Sequence, residues 1–286
     1  MRTVTTASSV REAVAGWRAA RQSVAFVPTM GNLHAGHLSL VQLAQELAHR
    51  VVVSVYVNPT QFGPQEDFAA YPRTLEADAA KLDGQQADLL FAPASAEIYP
   101  FGIDQAVRLA LPVLSDQLCG AARPGHFDGV LSVVCRLLNI VAPDLVVFGE
   151  KDYQQLVILR RMVADLRMPV RVVAGPTHRE DDGLAMSSRN SYLTASERHA
   201  APGLYHALRR VVAAIESGAT DYAALAAAAR DELVQAGFQP DYVEIRRALD
   251  LAPPNGGGDV DLIVLAAARL GQARLIDNLR ITPLPA

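Results

Sequence analysis

Two cysteines and one tryptophan stand among 286 residues, and long apolar runs are missing. Cys119 and Cys135 form no Cys-x-x-Cys pair and no zinc pattern, so a disulfide framework is not expected and a reducing compartment fits. Cys135 lies in the apolar run Val133–Leu138 and is expected as a buried core thiol. The longest apolar stretches, such as Val51–Val57 broken by Ser54, fall short of the roughly 18 residues of a membrane span. The N-terminus lacks the apolar core of a signal peptide. Positive charge is also scarce: 26 Lys and Arg face 30 Asp and Glu, for a net charge of −4. That argues against nucleic acid or an anionic membrane as the main partner. The expectation is a soluble, cytoplasmic protein.

Apolar residues are plentiful, at 50%, so the chain has the material for a sizeable core. Its length suggests about two domains. Short β-branched runs alternate with helical patterns. Strands are expected at 24–27, 51–57, 88–91, 107–111, 144–148 and 170–173, and helices around 38–47, 73–82, 130–141 and 153–166. Continuous apolar strands between helices indicate an α/β, Rossmann-like parallel sheet with helices on both faces. After about residue 180 the texture changes. Two Ala-rich helices, near 196–217 and 221–236, precede strand-like runs at 242–246, 262–267 and 273–281, with a Pro/Gly-rich loop at 253–258. This reads as a smaller α+β domain, with the division at 1–176 and 177–286.

In open parallel sheets, ligands gather beyond the carboxyl ends of the strands. The segments just after the strands therefore carry the chemistry. The first is Pro28-Thr29-Met30-Gly31-Asn32-Leu33-His34-Ala35-Gly36-His37. It opens a helix, whose N-terminus attracts anions, and two imidazoles three residues apart add phosphate donors. Alternatively the histidines cap the helix or bind a metal, although no third ligand is evident nearby. The second is Gly149-Glu150-Lys151-Asp152-Tyr153-Gln154-Gln155, in which Lys151 can neutralise phosphate, Asp152 can hold a ribose hydroxyl or a metal-bound water, and Gln155 can bond a polar substrate. The third, Met186-Ser187-Ser188-Arg189, is a compact phosphate clamp. Each of the last two, taken alone, is common in solvated loops. Their conjunction at the ends of a parallel sheet points to a nucleotide.

The His34-Ala35-Gly36-His37 and Met186–Arg189 strings resemble the HxGH and KMSKS-type signatures of the nucleotidylyl-transferase superfamily. The longer strings PTMGNLHAGHLSL, YVNPTQF, RPGHFDGV, FGEKDYQQL and DGLAMSSRNSYL resemble the pantoate–β-alanine ligase (pantothenate synthetase) family, in order across residues 24–195. The resemblance implies condensation of D-pantoate with β-alanine. ATP is consumed to AMP and pyrophosphate through a pantoyl adenylate, and Mg²⁺ bridges the phosphates. It implies that His34, His37 and Lys151 are catalytic.

By the same resemblance, Met30, Gly31, Gly149, Asp152, His178, Met186, Ser187, Ser188 and Arg189 join them in binding ATP. Gln61, Gln155, Met30 and Asn58 would line the pantoate and β-alanine pocket. No protein ligand for the metal is assigned, and Arg123 and His126 receive no firm role. His178 stands where the family usually has an apolar residue beside the adenine. A homodimer is expected by resemblance alone. Two other readings remain: an adenylyltransferase that leaves AMP on its product, and a non-catalytic nucleotide- or metal-binding module built on the two histidines.

Overall fold

A computed structural model describes residues 1–64, 66–255 and 261–281. The elements run β1 (Arg2–Val4), α1 (Ala7–Ala19), β2 (Val24–Thr29), α2 (Ala35–Leu47), β3 (Arg50–Val55), α3 (Leu75–Gly84), β4 (Leu89–Phe91), α4 (Ser95–Ile98), α5 (Cys119–Ala122) and α6 (His126–Val141). They continue with β5 (Leu145–Gly149), α7 (Tyr153–Asp165), β6 (Arg171–Gly175), α8 (Ala195–Ala200), α9 (Gly203–Glu216), α10 (Tyr222–Gln235), β7 (Gln239–Arg247), β8 (Leu262–Leu270) and β9 (Ala273–Ile281). Two compact units form. The first comprises Met1–Glu150 and Ile158–Pro176; the second comprises Lys151–Val157 and the chain from Thr177 onward.

The first unit is built on a parallel sheet in the order β1-β4-β3-β2-β5-β6. The strands are short and rich in Val, with both faces buried, as a sheet covered on both sides requires. α2 packs on β2, β3 and β5, where Val41 and Ala44 meet Ala25, Val27, Val53 and Val147. Side chains alternate along a strand, so Phe26, fully buried, faces the opposite side, where α6 reaches β2 and α1. Strand order reverses at β2, whose neighbours are β3 and β5. The carboxyl ends of β2 and β5 thus flank the topological switch, where such sheets bind ligands.

The second unit holds the antiparallel sheet β7-β8-β9. Leu204, Leu208 and Val211 of α9, with Ala229 and Leu233 of α10, share a core with Val243, Val264, Ala266 and Leu275. The α+β character read from the sequence is found here.

Some expectations change. Residues 107–111 form no strand. Their backbone is taken up by side chains of α6: Ser132 Oγ accepts from the Leu109 N–H at 3.0 Å, and Arg136 donates to the Val107 carbonyl at 2.7 Å. The helix expected over 196–217 is two, α8 and α9, separated at Pro202, which lacks the N–H a continuous helix needs. β1 and α1 escaped notice because a three-residue strand and a weakly apolar helix carry little periodic signal. Cys135 is half-buried rather than buried; Cys119 is the buried thiol. The run 256–258 of the expected loop lies outside the described residues.

Candidate active site

β2 runs out at Thr29, and the chain must turn sharply to start α2. Thr29 Oγ1 donates to the Ser54 carbonyl at 2.7 Å and accepts from the Gly31 N–H at 3.2 Å. Gly31 and Asn32 both take the left-handed backbone, at φ 82° and 50°. Gly31 is required twice over: its φ is strained for other residues, and a Cβ there would lie 2.9 Å from Val55 Cγ1. Asp78 of α3, fully buried, accepts from the Asn32 and Leu33 N–H groups at 2.8 and 2.7 Å. Lys81, one turn on, donates to the Leu33 carbonyl at 2.6 Å. α3 thus grips the loop from both ends of its polarity.

His34 is the N-cap of α2 and His37 its third residue. The His34 N–H donates to His37 Nδ1 at 3.3 Å, and the two rings lie 4.0 Å apart. Assigned from that bond, the neutral His37 ring carries its proton on Nε2. His37 Nδ1 thus takes up the N-cap N–H, the capping role that the sequence offered as an alternative.

Asn58 caps, and Gln61 ends, the 3₁₀ turn Pro59–Gln61 that follows β3. Asn58 is buried. Its Nδ2 donates to Gln61 Oε1 at 3.1 Å and to the Gly129 carbonyl at 3.2 Å. Its Oδ1 accepts from Tyr99 Oη at 2.8 Å and from Thr60 Oγ1 at 3.1 Å. Asn58 spends its polar atoms on protein and so aims Gln61, whose Nε2 points to Met30 Sδ at 3.1 Å. Met30, Asn58 and Gln61 are thereby brought together. Gly129 permits the approach of α6: a Cβ there would sit 2.2 Å from the Thr60 carbonyl oxygen.

β5 ends at Gly149, which pairs in register with Gly175 of β6. A Cβ on Gly175 would meet Leu40 Cδ2 at 2.2 Å, so this glycine lets α2 lie close.

In the second unit, Lys151 is held by its backbone: Asn278 Nδ2 donates to its carbonyl at 2.9 Å. Tyr153 Oη donates to the Ala248 carbonyl at 3.1 Å, which fixes the first turn of α7. Asp152 is exposed, Gln154 is buried, and Gln155 is half-buried. Of the two adjacent glutamines, Gln155 is the more exposed.

The Ser-Ser-Arg loop grows from a hairpin. The Met186 N–H donates to the His178 carbonyl at 3.0 Å, while the His178 residue is exposed. Ser187 Oγ accepts from the Arg189 N–H at 3.3 Å and caps the turn Ser188–Tyr192. Arg179 anchors the hairpin on Asp277 with bonds of 2.7 and 2.9 Å, lies 4.3 Å from the Tyr205 ring, and donates to the Gly183 carbonyl at 3.0 Å. Lys151, Ser187, Asn190 and Asp277 line one cavity of about 10 Å³, room for a single water. In the acidic run 180–182, Asp181 and Asp182 are exposed and Asp182 pairs with Arg198 at 2.6 Å. Among the described residues, no three His, Cys, Asp or Glu side chains gather to hold a metal, and no helix is long and apolar enough to cross a membrane.

Sequence reasoning missed Asp78, Lys81, Arg179, Asp277 and Asn278. The first two look like ordinary charges of a surface helix. A signal for Asp277 existed: it occupies an inward position of β9, where Ala273, Leu275 and Ile281 are buried.

Residues 2–280 match the family described as pantoate-beta-alanine ligase. A pantothenate synthetase of Thioalkalivibrio sulfidiphilus is 56% identical over 281 residues, 98% of each chain. The crystal structure of pantothenate synthetase from Thermus thermophilus superposes with a TM-score of 0.92 at 46% identity, covering 99% of this chain and 100% of that one. The ligase of Francisella tularensis, crystallised with beta-gamma ATP and beta-alanine, gives a TM-score of 0.82 at 32% identity over 98% and 97% of the two chains. The chain belongs to the pantoate–β-alanine ligase family.

Proposed function

We propose how this chain carries out the reaction of its family, the ATP-dependent condensation of pantoate with β-alanine through an adenylate. The observation that carries the reading is the turn after β2, where a strand end, an α-helix N-terminus and the paired rings of His34 and His37 coincide at the topological switch.

The pantoate carboxylate attacks the α-phosphorus and pyrophosphate departs. The β-alanine amine then attacks the acyl carbonyl and AMP departs. Neither step needs an enzyme nucleophile; both need alignment and charge neutralisation. In this reading His34, His37 and Lys151 neutralise charge on the transferring phosphate, with His37 donating through Nε2. Met30 and Gly31 line the nucleotide, Gly149 and Asp152 face the ribose, and the His178 backbone meets the adenine. Met186, Ser187, Ser188 and Arg189 hold the pyrophosphate, and Gln61 and Gln155 hold pantoate, with Met30 and Asn58 as pocket wall.

ATP enters as its Mg²⁺ complex. The groups assigned to the phosphates are imidazole, ammonium, guanidinium and hydroxyl, and Asp152 is the one carboxylate among the assigned residues, so the ion would be carried mainly by the nucleotide. Residues 1–176 serve as the ATP- and pantoate-binding domain and 177–286 as the smaller domain with the Ser-Ser-Arg loop. The enzyme works in the cytoplasm as a homodimer. Phe101, Val107 and Val113 are exposed, and sedimentation of a Val107→Glu variant tests whether Val107 lies between copies: a dimer unaffected by the change removes it from the contact.

The test of the activity is incubation with ATP, Mg²⁺, pantoate and β-alanine, following AMP and pantothenate. Both products should appear only with all substrates present. AMP retained on pantoate would favour a plain adenylyltransferase, and ATP binding without turnover a non-catalytic module.

A further inference from the structure

Glu66, Arg123 and His126 form a chain of contacts that no role above uses, and the chain ends on Gln61. Arg123 donates through Nε to Glu66 Oε1 and through Nη2 to Oε2, both at 2.6 Å. Its Nη1 lies 2.9 Å from His126 Nε2, and its Nη2 also donates to the Gln61 carbonyl at 3.3 Å. His126 Nδ1 lies 2.7 Å from the same carbonyl oxygen.

A guanidinium has donors and no acceptor. His126 Nε2 must therefore accept from Arg123, which leaves the ring proton on Nδ1, where it is donated to Gln61. The contacts fix the tautomer and select the neutral ring. The order is carboxylate, guanidinium, imidazole, peptide carbonyl.

Gln61 needs this support. It is the last residue of a single 3₁₀ turn, so its carbonyl has no place in a helical ladder. Two side-chain donors take up that carbonyl, while Asn58 holds the Gln61 amide from the other end at 3.1 Å.

We propose that His126 is a positioning residue for pantoate: held neutral and Nδ1-protonated by Arg123 and Glu66, it fixes the Gln61 peptide and so the amide that meets the substrate. The proposal deepens the pocket reading above and rests on Gln61 binding pantoate.

The test compares His126→Ala, His126→Asn, His126→Gln and Gln61→Ala in the full chain. It measures kcat, pantoate KM, ATP KM and thermal melting. Loss of one hydrogen bond to a buried carbonyl should raise pantoate KM about tenfold in His126→Ala, with ATP KM nearly unchanged. Asn, whose short amide presents an N–H near the place of Nδ1, should restore most of the affinity; Gln, whose amide lies nearer Nε2, should not.

A parallel rise in both KM values, or an Asn variant no better than Ala, overturns the proposal. If Gln61→Ala raises pantoate KM and His126→Ala does not, the proposal falls and the pocket reading stands. If Gln61→Ala leaves pantoate KM unchanged, both fall. Independently of any substitution, ¹⁵N spectra of the unaltered chain should place the His126 ring proton on Nδ1; a proton on Nε2 overturns the proposal.

Discussion

Asp277 and Arg179 meet through two bonds, 2.7 and 2.9 Å long, between β9 and the root of the Ser-Ser-Arg hairpin. Asp277 is 4% exposed, so the pair is shielded from solvent. Its neighbour Asn278 holds the Lys151 backbone. One dipeptide of β9 thus organises both the Lys151 turn and the Ser-Ser-Arg hairpin.

Removing one partner of a buried pair leaves an uncompensated charge, at a cost of about 3–5 kcal/mol. Asp277→Ala should lower the melting temperature and raise ATP KM. The double change Asp277→Leu with Arg179→Met should recover most of the stability, because apolar replacements avoid desolvation. It should not recover ATP affinity, because the hairpin loses its anchor. Melting curves and ATP KM for both variants decide this; affinity restored along with stability would show that the pair does not position the loop.

His37→Ala and Lys151→Ala should each lower kcat by about 10²–10³-fold, the usual loss when one preorganised donor to a developing charge is removed. Single-turnover adenylate formation is the measurement. Near-normal rates would reject the assigned role of the residue concerned.

Asp78→Asn should destabilise the first unit by about 1–3 kcal/mol. The carboxylate accepts from two backbone N–H groups and from Thr74 Oγ1, whereas an amide turns one of its two ends into a donor. His34 follows directly after this loop, so kcat should fall with the stability. Denaturant titration beside turnover checks both.

Burial pushes the Glu66 carboxyl up, but bonding to Arg123, the Arg123 charge, the Gly63 N–H and, least, the positive charge of a protonated His126 outweigh it and hold the pKa at about 2, below its ordinary 4.5. A depressed carboxylate stabilises the fold above its unfolded pKa, and that contribution is lost as pH falls toward the folded value. Stability should therefore decline between pH 4.5 and about 2. Glu66→Gln should flatten this part of the curve, and an unchanged slope would count against the Glu66–Arg123 pair as its source.

The parallel sheet was legible because its strands are unbroken runs such as Val51-Val52-Val53, and the small domain because β7, β8 and β9 differ in texture from them. The residues proposed to meet ligand were legible too, as strings at strand ends. What holds those residues was not. His126 reads as a helix-start histidine until Gln61, 65 positions away, is seen beside it. Asp78 reads as a solvated helix charge until the backbone of Asn32 arrives. Supporting contacts depend on distant segments meeting, and local periodicity carries no record of that. The apolar pattern at 107–111 misled for the same reason: α6 supplies hydrogen bonds that a neighbouring strand was expected to supply.

The chain passes between its two units at residue 150, again at 157 and a third time at 176. The C-terminal unit is therefore not a detachable appendage. A truncation at Pro176 would keep Lys151 and Tyr153 but take away Asn278 and Ala248, which hold them. Exchanging this unit between relatives would have to carry residues 151–157 with it. Inheritance at this site is by the interwoven pair, and a cut at the apparent linker would divide the first turn of α7 from the residues that shape it.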